Sequence, residues 1–202
     1  MTDKPPGLRE PITQAAHLCV DMQRMFAEDT DWKTPWMKRV LPRVEQIAEA
    51  HAAETLFTRF VPAANAQEAK GRWRQYWKRW STMTLDCIAP DLVELVPTLR
   101  RFVPPASVVD KRLYSPWVDT SLDDRLRARL IETLVVTGAE TDVCVLASVL
   151  GAVDLGYRVI VVSDAICSSS DETHDALMTL YHQRYSQQIE TAMSADVLAA
   201  WR

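Results

Sequence analysis

The stretch LVVTGAETDVCVLAS, Leu134–Ser148, decides how the rest of the chain is read. It opens on an apolar, β-branched run (Leu134–Val136), crosses a short polar turn with a glycine and two acids, and enters a second apolar run. That order predicts a buried strand, a tight turn and the start of a buried helix. Cys144 falls where the helix begins. A cysteine there has two readings. Free Cys packs like a small hydrophobe. A thiol beside a cation and a helix N-terminus is an activated nucleophile.

The same strand-then-helix order recurs along the chain. Strands are predicted at Ala15–Val20, Glu54–Phe60, Ser107–Asp110, Thr133–Thr137, Arg158–Val162 and, more weakly patterned, Ile189–Met193. Several carry little polar alternation, as expected of parallel strands covered on both faces. Helical patterns run over Val40–Ala53, with Pro42 limiting the start, and over Ala89–Phe102, with Asp91 and Glu94 in capping-box spacing. Ser121 and Asp124 open another, Val143–Leu155 is apolar almost all round, and Asp171–Tyr185 and Ser194–Trp201 follow. Strands alternating with helices predict an α/β domain with a mostly parallel sheet.

The 202 residues suit one domain with a substantial core. A formal net charge of −4 speaks against nucleic acid as a partner, because phosphate binding needs a basic surface. No apolar run approaches the roughly 18 residues of a spanning helix, so no membrane partner is expected either. Residues 1–13 read as a Pro-rich, loosely structured arm without an apolar signal segment, ahead of a domain over 14–202. None of the four cysteines forms a C-x-x-C pair, which predicts free thiols in a reducing cytoplasm.

In open α/β sheets ligands sit beyond the carboxyl ends of the strands. Asp21 ends the first strand, Lys111 the third, and Cys144 follows the fourth. Singly, each has a plain reading: a helix cap, a solvated lysine, a core thiol. Together they make a proton shuttle, a cation and a nucleophile. The ammonium and the helix N-terminus are expected to stabilise the thiolate.

Three motifs then carry a resemblance: D-x-Q-x-x-F (Asp21, Gln23, Phe26), K-x-x-Y-S-x-W (Lys111, Tyr114, Ser115, Trp117) and G-A-E-T-D-V-C-V (Gly138–Val145). In this order and spacing the chain resembles the isochorismatase-like cysteine hydrolases, which include nicotinamidases and N-carbamoylsarcosine amidases. The resemblance implies a Rossmann-like three-layer sandwich, with a six-stranded parallel sheet and helices on both faces. It implies an Asp21–Lys111–Cys144 triad, a cis peptide at Ala139–Glu140, and an oxyanion hole from the backbone N–H groups of Glu140 and Cys144. It implies a substrate pocket drawing on Gln23, Phe26, Trp73, Trp77 and Trp117, and a homo-oligomer, dimer or tetramer. The expected activity is hydrolysis of a C–N bond in a small amide, carbamate or ureide through a thioester. Vinyl ether hydrolysis and a catalytically silent, ligand-binding relative are the alternatives.

One feature departs from the family pattern, and one further stretch is notable. The nicotinamidase metal-site histidines have no counterpart, since no histidine lies between His51 and His174. No metal and no cofactor are expected. The stretch GRWRQYWKRW (Gly71–Trp80) places Trp73, Tyr76, Trp77 and Trp80 at helical spacing among Arg72, Arg74, Lys78 and Arg79. Such a helix packs by its aromatic stripe or caps the site, and its basic residues would then draw in an anionic substrate. His174, Asp164, Cys19, Cys87 and Cys167 read as structural.

Overall fold

The computed structural model describes residues 7–202. Its core is a sheet of six strands: β1 (Ala15–Val20), β2 (Thr55–Phe60), β3 (Ser107–Lys111), β4 (Thr133–Ala139), β5 (Arg158–Cys167) and β6 (Ile189–Ala192). All neighbouring pairs are parallel and the spatial order is β3-β2-β1-β4-β5-β6. The helices are α1 (Arg24–Ala27), α2 (Met37–Ala50), α3 (Gly71–Arg79), α4 (Pro97–Arg100), α5 (Leu122–Ala128), α6 (Leu146–Asp154), α7 (Asp171–Gln183) and α8 (Ser194–Ala200).

Period-two alternation divides the sheet's side chains between two apolar layers. Cys19, Val135, Ile160 and Val162 pack on one face against Val44 and Ile47 of α2 and Val197 of α8. Leu18, Leu134, Val136, Val159 and Val161 pack on the other against Leu126 of α5, Val149 of α6 and Tyr181 of α7. This is the expected three-layer α/β sandwich. Among the described residues, no helix is long and apolar enough to cross a membrane.

Several local expectations are corrected. The helix predicted over Ala89–Phe102 is broken into a 3-10 turn, Pro90–Val93, and α4. Pro97 lacks the N–H a continuous helix needs, and Leu95 is drawn into a bridge with Gln23. α2 starts before Pro42 and carries that residue inside it. The Ser121 side chain makes no cap, and the Leu122 N–H instead donates to Thr120 Oγ1 at 3.2 Å. β5 runs five residues further than Val162, so Asp164 lies within it, where its carboxylate caps α8 by accepting from Ser194 N and Oγ, both at 2.7 Å. Residues 1–6 of the expected arm lie outside the described residues. Its remainder is fastened to the body: Ile12 is buried, its N–H donates to Ala200 O at 3.0 Å, and Arg9 N donates to Glu190 Oε2 at 2.9 Å.

β1 and β4 are central neighbours, and the strand order reverses between them. The close fit depends on Gly138, with φ +113°. A Cβ there would sit 2.0 Å from Val20 O, so no side chain is tolerated. The crevice above this pair is where a doubly wound sheet offers its ligand site.

Candidate active site

Asp21, Lys111 and Cys144 converge in that crevice. Asp21 leaves β1 with φ +48°, a left-handed conformation that Asp tolerates better than most residues, and its carbonyl accepts from Gln23 N at 2.8 Å. The turn aims the carboxylate inward, where Oδ1 accepts from Thr58 Oγ1 of β2 at 2.6 Å. Lys111 Nζ, the last side chain of β3, lies 2.7 Å from Asp21 Oδ2. It donates to Leu113 O at 3.1 Å and to Cys144 Sγ at 3.4 Å. Asp21 thus splits its carboxylate between two elements, Oδ1 on Thr58 of β2 and Oδ2 on Lys111 of β3.

Cys144 sits in a turn of π-helix, Thr141–Val145, that leads into α6. The Ala139–Glu140 peptide before it is cis. The Val143 and Val145 N–H groups both donate to Glu140 O, at 3.1 and 3.0 Å. Side chains bind the turn to α7. Thr141 Oγ1 lies 2.9 Å from His174 Nδ1, while Asp142 accepts from Ser168 Oγ and Thr173 Oγ1, each at 2.6 Å. His174 is thus a structural partner, as its sequence position suggests.

The protonation balance differs from expectation. Burial, and then the Asp21 carboxylate, push the Cys144 thiol well above its ordinary pKa, and Lys111 only partly opposes them. Burial pulls the Lys111 ammonium down, but Asp21 and Cys144 more than offset that, and its pKa is raised. The resting site therefore holds a neutral thiol beside a buried ion pair rather than a preformed thiolate. The other buried thiols, Cys19 and Cys167, are both raised to about 12 by burial.

Above Cys144 lies a cavity of about 260 Å³. Phe26 lines it, and none of the other four expected pocket residues does. Gln23 is buried as a clamp, its amide accepting from Phe60 N and donating to Phe60 O and Val93 O. Trp117 packs away from the cavity, donating from Nε1 to Ser148 O at 2.8 Å and stacking on Tyr157. Trp77 is stacked on Phe60 in the core. Trp73 backs the wall, edge-on to Tyr76 and Tyr114.

The lining rings are instead Trp32, Phe60, Tyr76, Trp80 and Tyr114, beside Phe26. Tyr76 belongs to α3 and Trp80 caps it, and both stand in the same aromatic run as Trp73 and Trp77, whose spacing alone does not mark the side that faces the cavity. Trp32 stands in a loop with no periodicity to betray it. Arg72, Arg74, Lys78 and Arg79 are exposed, and none lines the cavity, which removes the basis for a basic entrance. A larger groove of about 650 Å³ lies behind the turn, bordered by Trp36, Arg39, Cys167 and His174, and Asp21, Lys111 and Cys144 do not line it. Among the described residues, no group of three or more His, Cys, Asp or Glu side chains is arranged to hold a metal ion.

An all-parallel sheet in this order, with a thiol, an ammonium and a carboxylate at its switch point, defines an α/β protein built around a reactive-residue crevice. The chain belongs to the isochorismatase family, whose isochorismatase domain matches residues 15–193. The crystal structure of a cysteine hydrolase from Pseudomonas syringae pv. phaseolicola 1448A is similar over 99% of this chain and 98% of that one, with a TM-score of 0.81 and 25% identity. N-carbamoylsarcosine amidase from Thermoplasma acidophilum shares the fold at a TM-score of 0.73 and 22% identity, over 90% of this chain and 97% of that one. A ureidoacrylate amidohydrolase of Methylobacterium radiotolerans is 30% identical over 79% of this chain and 52% of its own length. The curated relatives are matched over 21% to 52% of their lengths.

Proposed function

We propose that the chain is a cysteine hydrolase that cleaves the C–N bond of a small amide, carbamate or ureide. The observation that carries this reading is the placement of a thiol at the floor of the cavity, 3.4 Å from a buried ammonium that is itself 2.7 Å from a buried carboxylate. The amidohydrolase among its relatives supports the choice of bond.

Each proton has a route. The Cys144 thiol gives its proton to the Asp21 carboxylate as the sulfur attacks the carbonyl carbon. Lys111 holds the negative charge as it passes from carboxylate to sulfur. The resulting oxyanion is assigned to the backbone N–H groups of Glu140 and Cys144. Collapse breaks the C–N bond, and Asp21 returns the proton to the departing nitrogen. Water, deprotonated by Asp21, then attacks the thioester carbon, and the released sulfur recovers its proton.

The test is an ammonia-release screen of small amides and ureides with the wild-type chain and Cys144→Ala. The expected result is turnover in the first and none in the second. Mass spectrometry of rapidly acid-quenched wild type should show the acyl group on the peptide carrying Cys144. Equal turnover by Cys144→Ala would overturn the proposal.

A further inference from the structure

The cavity walls carry a charge pattern that the sequence did not suggest. Six aromatic rings enclose it, from Phe26, Trp32, Phe60, Tyr76, Trp80 and Tyr114. Its acidic lining groups are Asp31 and Glu140, and its basic one at the mouth is Lys33. Lys33 is already engaged, with Nζ 3.1 Å from Asp29 Oδ1. Glu140 is held in place, its Oε1 accepting from Ser169 N at 2.9 Å and Thr34 Oγ1 at 3.3 Å. Asp31 accepts from Thr82 Oγ1 at 2.5 Å. Deeper in, the Lys111 charge is balanced by Asp21.

Aromatic faces carry negative electrostatic potential and attract cations, most strongly where water is excluded. Two of these rings already do so within the protein. Lys111 Nζ lies 5.1 Å from the Phe60 ring centroid, and the Arg79 guanidinium 5.3 Å from that of Trp80. An anionic substrate would meet two carboxylates and one lysine already paired. A cationic one would meet ring faces and two carboxylates.

We propose that the site selects an amide whose far end is a cation, an ammonium or quaternary ammonium group, held in the aromatic cage with Asp31 and Glu140 as counter-charges. This rests on the hydrolase reading for the reacting end and adds the recognition of the other end. Asp31, exposed at the mouth, draws the cation in, and Trp32 and Trp80 receive it.

Three amides of similar size separate the possibilities: 2-(trimethylammonio)acetamide, its neutral isostere 3,3-dimethylbutanamide, and the anion succinamate. Turnover is measured on the wild-type chain, and binding on Cys144→Ala by tryptophan fluorescence. The cation is expected to exceed the neutral isostere at least tenfold in both kcat/KM and affinity, with succinamate weakest. Asp31→Asn should weaken binding of the cation several-fold more than binding of the neutral amide, whereas Trp80→Ala should erase the preference. Equal or better handling of the neutral or anionic amide overturns the proposal, as does absence of binding by all three at millimolar concentration. If none is hydrolysed but the cation alone binds, the cage stands and the hydrolase reading falls.

Discussion

The ion pair between Asp21 and Lys111 is the most exacting test of the site's energetics. Both side chains are removed from water, at 1% and 0% exposure. Coulomb's law at an effective dielectric constant near 20 gives about 6 kcal/mol at their 2.7 Å separation. That attraction offsets the cost of drying two charges, so the pair adds little net stability, yet neither charge is tolerable alone. Lys111→Met leaves a carboxylate whose nearest donor is Thr58 Oγ1. Asp21→Asn leaves an ammonium with Leu113 O and the Phe60 ring, and Asn accepts the left-handed backbone at that position. Each single variant should lose about 3–5 kcal/mol, a fall in Tm of roughly 6–20 °C for a chain of this size. The double variant should be at least ~3 kcal/mol more stable than the two losses added together. Equilibrium urea unfolding of all four proteins measures this. Additive losses, or single losses below about 1 kcal/mol, would show that the charges do not depend on each other and would undo the account of a closed, dry ion pair.

Other consequences concern the scaffold. His17 is buried between Thr55 Oγ1 at 3.1 Å and Thr137 Oγ1 at 2.7 Å, and burial lowers its pKa from 6.5 to about 3. Between those values the unfolded chain binds the proton and the folded one does not, so this contribution is complete above pH 6.5 and is lost as pH falls toward 3. The slope is about 1.4 kcal/mol per pH unit, and His17→Gln should be less steep by that amount in urea unfolding between pH 6.5 and 4. Gly151→Ala places a Cβ 2.2 Å from Trp117 Cδ1 and should cost about 1–3 kcal/mol through displacement of the indole, with KM unchanged because Trp117 does not line the cavity. Gln23→Leu strands the N–H of Phe60 and two carbonyls. It should lower stability by at least ~1–3 kcal/mol in thermal unfolding, whereas an unchanged Tm would refute the clamp.

Much of this architecture is legible in the residues, and the failures have physical causes. The strands show because β-branched runs buried on both faces leave a continuous apolar signature. The convergence of Asp21, Lys111 and Cys144 shows because each lies at or just beyond a strand's carboxyl end, where topology alone brings distant residues together. The pocket is another matter. Trp73 and Trp77 were the expected wall, but helix rotation turns Tyr76 and Trp80 to the cavity instead, and a stripe of aromatics on most sides of α3 does not say which side is which. The thiol's protonation state is likewise hidden. Sequence shows a cation nearby, whereas burial and the Asp21 charge, which reverse its effect, exist only in three dimensions.

The hydrogen bonds that tie the cysteine turn to α7 have an implication for how the molecule is made. Thr141 and Asp142 are held by Ser168, Thr173 and His174, all at least 26 positions further along the chain. Synthesis delivers Cys144 well before the residues that fix its turn. A growing chain that has reached α6 carries the thiol without its anchorage, and the site matures only once β5 and the first turn of α7 have emerged and docked. The turn that carries Cys144 is anchored, through Thr141 and Asp142, by residues that follow it in the chain, not by those that precede it.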